Sequence, residues 1–135
     1  MKIFLASPLF NEAEREFNSK TAKRLRRAGH DVWLAQEAFF TRVTAHEDRK
    51  KIYETAISAL RTSNVIVAIL DGLTVDAGVA YEMGYAKALD KPLIGLRTDL
   101  RVFSKMQKVN LMLDIPLVKI CRSIDDVIHQ LNEFM

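Results

Sequence analysis

The sequence predicts an α/β domain built on an open, all-parallel β-sheet with helices on both faces. Three observations carry that expectation. Short apolar runs alternate with amphipathic stretches along all 135 residues, the pattern of repeated β-α units. The connections between them are short, which favours sequential right-handed crossovers. The strongest run, residues 64–70 (NVIVAIL), is unbroken and rich in β-branched side chains, as a central parallel strand covered on both faces requires.

Residues 3–6 (IFLA) form a first strand that Ser7-Pro8 ends. Asn11 caps the first helix, whose first turn carries Glu12 and Glu14, where the positive end of the helix dipole favours acids. That helix closes on Arg26, Arg27 and Ala28 followed by Gly29, a stop signal. Residues 31–35 (DVWLA) make the second strand, and 36–45 read as a loop carrying the aromatic pair Phe39 and Phe40. A second helix runs from His46 or Glu47 to Leu60, the third strand follows, and Asp71-Gly72 ends it. Residues 76–90 are expected to be helical, 92–96 and 117–120 to be strands, and a last helix to follow Ser123 with Asp125 and Asp126 in its first turn. Five strands in this alternation suit the flavodoxin-like order 2-1-3-4-5. A single domain over residues 1–135 is expected, since no repeat, low-complexity tract or linker interrupts the pattern.

Composition narrows the function classes. Hydrophobic residues make up 49% and charged residues 27%, ordinary for a soluble globular chain. The single cysteine, Cys121, has no internal partner for a disulfide, which fits a reducing compartment. No apolar run reaches the ~20 residues of a membrane span, and MKIFLASPLF lacks the pattern of a signal peptide. A cytoplasmic protein without membrane contact is expected. The formal charge is +3. The basic residues Lys20, Lys23, Arg24, Arg26 and Arg27, and then Arg49, Lys50 and Lys51, lie on expected helices with acids close by. Solvated helix faces explain them better than a stripe for a nucleic-acid polymer.

In open parallel sheets ligands bind outside the carboxyl ends of the strands, near the switch between strands one and three. That rule nominates residues 7–10, 36–40 and 71–82. The first strand is followed by SPLFNE, without glycine, so neither a dinucleotide fingerprint nor a Walker loop is present. His30, His46 and His129 lack metal-ligand spacing, and His30 in the turn AGHDV suits a structural role. Ser7 has no nucleophile elbow around it. No metal or cofactor is expected. The informative stretch is 76–86, DAGVAYEMGYA. At about 100° per residue, Glu82 falls between Leu89 and Ala86, with Gly78 and Val79 on the same side and Lys87 roughly opposite. Gly78 and Gly84 each weaken a helix interior by up to ~1 kcal/mol, so a ligand approaching the backbone beside a sheltered carboxylate is one reading. A glutamate paired with a nearby cation is the other.

Three segments, MKIFLASPLF, DAGVAYEMGYA and VNLM at residues 109–112, resemble in order and spacing the signature segments of the nucleoside 2-deoxyribosyltransferases. The resemblance implies a flavodoxin-like sheet and casts Glu82 as the nucleophile that attacks C1′ of the deoxyribose, forming a covalent glycosyl-enzyme. It casts Asp76 as a substrate ligand and proton carrier, although an aspartate before a helix also serves as an N-cap. Gln36 matches a base-contacting position, or is a polar loop residue. Ser7, Pro8, Phe10 and Gly78 fall in the matching crevice, with Phe10 and Phe39 or Phe40 offering rings to stack on a base or to pack in the core. Asn110 and Met112 resemble the segment that reaches from a neighbouring subunit to the sugar 5′-hydroxyl, with turn chemistry the alternative for Asn110. Two positions depart from the family pattern: Phe4 stands where many members carry a tyrosine that orients the nucleophile, and Ala56 where many carry an aspartate.

The expected activity is therefore exchange of the nucleobase of 2′-deoxynucleosides with net retention, within nucleotide salvage. A homodimer or larger assembly sharing its sites is expected, with nucleoside and free base as partners. The alternatives are a 2′-deoxynucleoside 5′-monophosphate N-glycosidase, for which Ser7, Arg97, Arg101 and Lys105 would supply phosphate contacts, and a non-enzymatic nucleotide-binding module.

Overall fold

The computed structural model describes residues 1–39 and 46–135. Strands β1 (Lys2–Ala6), β2 (Asp31–Leu34), β3 (Val65–Ile69), β4 (Leu93–Leu96) and β5 (Lys119–Cys121) form one parallel sheet in the order β2-β1-β3-β4-β5. This is the flavodoxin-like order expected from the sequence. All five residues of β3 are buried, as its position between β1 and β4 demands. The helices are α1 (Glu12–Arg27), α2 (Ala35–Phe39), α3 (His46–Thr62), α4 (Ala77–Ala88), α5 (Leu111–Asp114) and α6 (Ile124–Asn132).

Strand alternation divides the core in two. Ile3, Leu5, Val65, Val67, Ile69, Ile94 and Leu96 pack against Ala22 and Leu25 of α1 and Val127 and Leu131 of α6. Phe4, Ala6, Ile66, Ala68 and Leu93 pack on the other side against Leu60 of α3, Val79, Met83 and Ala86 of α4, and Val109. The face occupied by α4 is the one that bears on function.

Local chemistry sets the boundaries. The Asn11 side chain accepts from the Glu14 N–H at 2.9 Å, and Glu14 in return accepts from the Phe10 N–H at 2.7 Å, which satisfies two donors at the start of α1. Gly29 stops α1 with φ +91°, a conformation glycine enters without steric cost. Ser123 and Asp126 form a reciprocal capping box at α6.

Three elements differ from expectation. The segment after β2 is not wholly loop: residues 35–39 form α2, while Phe40 lies outside the described residues. The fifth strand begins two residues later than expected, because the Leu117 N–H donates to the Asp114 carbonyl at 3.0 Å and completes the turn after α5. The single turn α5 was not foreseen. Among the described residues no helix is long and apolar enough to cross a membrane.

Candidate functional site

The site is built around the first two turns of α4, which packs against β1, β3 and β4. Asp76 is its N-cap, accepting the Val79 N–H at 3.1 Å. A Cβ on Gly78 would stand 3.1 Å from that same Asp76 oxygen, so the glycine leaves room for the capping carboxylate. Gly84 faces open space instead. Val79, Met83 and Ala86 are buried against the sheet. On the opposite flank stand Tyr81, half-exposed, and Tyr85, their rings 6.3 Å apart. Tyr81 reaches across to Tyr53 of α3, hydroxyl to hydroxyl at 2.7 Å.

Glu82 emerges at the border between these flanks, partly buried. Among the described residues no side chain or backbone group hydrogen-bonds its carboxyl, and no cation pairs with it. Desolvation first, and then the negative charge of Asp76, push its pKa up to about 8. A carboxyl of this kind is sheltered and unneutralised, and so is free to bond to a ligand. The paired-glutamate reading therefore finds no support among the described residues.

The carboxyl end of β1 lies beside α4. The Ser7 hydroxyl is buried, with no hydrogen-bond partner among the described residues. Pro8 is buried and its carbonyl accepts from the Asn18 amide at 2.7 Å. The Phe10 ring is 73% exposed. Phe4 of β1 stacks on Trp33 with centroids 4.8 Å apart, and Phe39 meets Trp33 edge-on at 6.0 Å. Trp33 thus links the strand beneath the site to α2, a role its place in the second strand did not announce.

Gln36 is 8% exposed and faces α1. Its amide nitrogen donates to the Arg15 carbonyl and the Ser19 hydroxyl, both at 2.9 Å, and its oxygen accepts from Asn18 at 2.9 Å. These bonds fix α2 on α1. Contact with a base requires Gln36 to exchange them.

Asn110 and Met112 stand elsewhere. The Asn110 side chain accepts the Met112 N–H at 2.9 Å and caps α5, while Met112 is 73% exposed. Both line a hollow of about 360 Å³ together with Arg97, Phe103 and Ala80 of α4. Ala80 lies two residues from Glu82, about 200° around the helix. Asp76, Gly78 and Glu82 therefore stand at the cap and first two turns of α4, a helix in contact with β1. Asn110 and Met112 share a hollow with Ala80 on another side of that helix, and Pro8 lines a separate hollow with Asn18, Asp71 and Arg101. Ala56, on α3, carries no group that supplements the site. Among the described residues no three His, Cys, Asp or Glu side chains converge in a way that holds a metal.

Known proteins place this architecture. A family described as nucleoside 2-deoxyribosyltransferase matches residues 3–114. The 2-deoxyribosyltransferase of Bacillus psychrosaccharolyticus superposes with a TM-score of 0.83 at 27% identity, over 94% of this chain and 90% of that one. A conserved protein of Enterococcus faecalis also gives 0.83 at 27% identity, over 99% and 98% of the two chains. The CMP N-glycosidase of Clostridium botulinum shares the fold at a TM-score of 0.63 and 18% identity, over the full length of both. No curated protein sequence matches the chain. The matched segment runs from β1 through α5 and carries both α4, with Glu82, and the Asn-Leu-Met tripeptide, so the chain belongs to the nucleoside 2-deoxyribosyltransferase family.

Proposed function

We propose that this protein exchanges the nucleobase of a 2′-deoxynucleoside through a covalent deoxyribosyl intermediate on Glu82. One observation carries the reading: a sheltered carboxyl on α4, unpaired among the described residues, with the capping Asp76 beside it. Family membership supplies the substrate class, nucleosides and nucleobases.

The chemistry follows from that pair. A Glu82 oxygen bonds to C1′ as the C1′–N bond breaks, its electron pair leaving with the base, which takes up a proton. An incoming base nitrogen then bonds to C1′, the bond to Glu82 breaks, and that nitrogen gives up its proton. Two displacements at one carbon restore the original configuration. Asp76 is the proton carrier beside the leaving base, a task compatible with its capping bond because a carboxylate has lone pairs to spare. The unpartnered Ser7 hydroxyl supplies a donor to the substrate, Pro8 and Gly78 let it approach the backbone, and Phe10 offers a stacking face. Gln36 contacts the base once it turns from α1. Asn110 and Met112 of a second subunit hold the sugar.

The test is incubation with thymidine or deoxyinosine plus free adenine, following both new nucleoside and free deoxyribose, with Glu82→Ala in parallel. Exchange in the wild type and none in a folded Glu82→Ala variant is the expected result. Free sugar without exchange makes the protein a hydrolase. Release from the 5′-monophosphate alone makes it a nucleotide N-glycosidase. Turnover that survives Glu82→Ala overturns the mechanism.

A further inference from the structure

Away from Glu82, the carboxyl ends of β4 and β5 enclose a second hollow, of about 450 Å³. Four cations line it: Arg97 at the end of β4, Arg101 and Lys108 in the segment that follows, and Arg122 after β5. The one acid in the lining among the described residues, Asp99, is already neutralised. It accepts Arg101 in a forked pair, at 2.6 Å to the terminal nitrogen, together with the backbone N–H groups of Gly72 and Arg101. Those bonds hold its carboxyl well below the usual range. Among the described residues no carboxylate forms an ion pair with Arg97, Lys108 or Arg122.

Arg97 is the most unusual of the four. It is 2% exposed, and its guanidinium donates to the Leu70 and Gly72 carbonyls at 2.6 and 3.4 Å and to the Arg101 carbonyl. Carbonyl dipoles alone compensate a buried cation incompletely. Three side chains of like sign around one concavity focus a positive potential into it, and a multiply charged oxyanion is what such a set of donors fits. Lys108 and Arg122 are exposed and so are free to reorient onto such a ligand.

We propose that this hollow binds a phosphate-bearing small molecule, at a site separate from the Glu82 crevice. None of the residues assigned to the reaction lines it. Arg97 and Lys108 are shared with the hollow that contains Asn110, so occupancy also steadies the segment leading into Asn110. The proposal does not depend on the reaction assigned to Glu82.

Calorimetric titration tests it with inorganic phosphate, a 2′-deoxynucleoside 5′-monophosphate and the matching triphosphate, each at constant ionic strength set with sodium chloride. The wild type and Glu82→Ala are expected to bind at least one of the three equally well. Lys108→Gln combined with Arg122→Gln is expected to weaken that binding by about ten-fold or more, as loss of two charge-assisted contacts implies. If the double variant does not fold, Arg122→Gln alone gives the same reading. Binding of phosphate itself marks an oxyanion site, while binding of the nucleotides alone marks a nucleotide site. No binding by any probe, binding unaffected by the substitutions, or binding lost with Glu82→Ala each overturns the proposal.

Discussion

Asp76 caps α4 and Glu82 lies in its second turn, and the charge of the first raises the proton affinity of the second. Asp76 is held in place by its bond to the Val79 N–H at 3.1 Å, and Glu82, already lifted by desolvation, reaches a pKa of about 8. At neutral pH the proposed nucleophile is therefore mostly protonated in the free protein.

Activity should follow that proton. For the free enzyme, kcat/KM is expected to climb with pH along a limb centred near 8. Asp76→Asn keeps a capable N-cap but deletes the charge and the proposed proton carrier, so the rate should fall overall and the limb of the residual activity should move to lower pH. Desolvation is the larger cause, so the shift should stop short of an ordinary carboxyl. Rate profiles of the two proteins decide the matter, and an unmoved midpoint would sink the electrostatic link.

Stability should carry the same signature with a definite sign. The folded-state pKa of Glu82 exceeds its unfolded value near 4.5, so the folded protein holds the proton more tightly. The associated stability is complete below pH 4.5 and is lost as pH rises through about 8. Glu82→Gln removes this dependence. Relative to wild type, the variant should gain stability across that window. At about 1.4 kcal/mol per pH unit the ceiling is roughly 5 kcal/mol, and on the order of 2 kcal/mol is expected because Glu82 keeps some contact with solvent. Urea unfolding at pH 5 and pH 9 measures it; equal differences at both would remove the case for a raised pKa.

The parts of the fold legible in the sequence were those governed by neighbours in the chain. Asn11, Gly29 and Ser123 mark helix ends through bonds or dihedrals within a few residues, and the unbroken run around Ile66 names its own burial. The five-residue α2 was missed because it is held from outside, by Gln36 against α1 and Phe39 against Trp33. Helical turns this short do not persist alone, and α5 likewise depends on the Asn110 cap. In the site, Glu82 could be found because helical spacing brings it to the edge of an apolar face. The commitment of Gln36 to α1 could not, since it joins residues far apart in sequence. Burial of Arg97 contradicts the ordinary exposure of arginine, and no local signal announces it.

His30 gives a prediction independent of the reaction. It is 5% exposed, both ring nitrogens are buried with no partner among the described residues, and burial and then the charge of the amino terminus lower its pKa. Its contribution is therefore fully present above the unfolded value of 6.5 and is lost as pH falls through the lower folded value. His30→Leu should be more stable than wild type at pH 7 by on the order of 1 kcal/mol, since it removes unsatisfied polar atoms. The advantage should widen at pH 5. Thermal unfolding at both pH values reads it, and an advantage that narrows on acidification would count against the assignment.

In the proposed reaction Asn110 must reach a Glu82 across a subunit boundary. Within one chain the two diverge: Asn110 shares its hollow with Ala80, about 200° around α4 from Glu82. The tripeptide surface is also open, with Leu111 at 50% and Met112 at 73% exposure. If Asn110 holds the sugar, it does so in a neighbouring subunit, and the smallest competent unit is a symmetric dimer in which each copy completes the other's site. Glu82→Ala and Asn110→Ala should then each be inactive or badly impaired as pure proteins. Asparagine-to-alanine also removes the α5 cap, at a cost of about 1 kcal/mol, so Asn110→Asp serves as a variant that keeps the capping oxygen. A hybrid of the two lesions contains one site with both and one site with neither. Subunit exchange between the inactive variants should therefore restore up to a quarter of wild-type activity per total site, because random mixing makes half of the dimers hybrid and each hybrid has one intact site of two. Light scattering or mass measurement verifies the exchange. Verified hybrids without activity would show that Asn110 acts within its own subunit or has no part in the reaction, and full activity in a monomer at assay concentration would show the same.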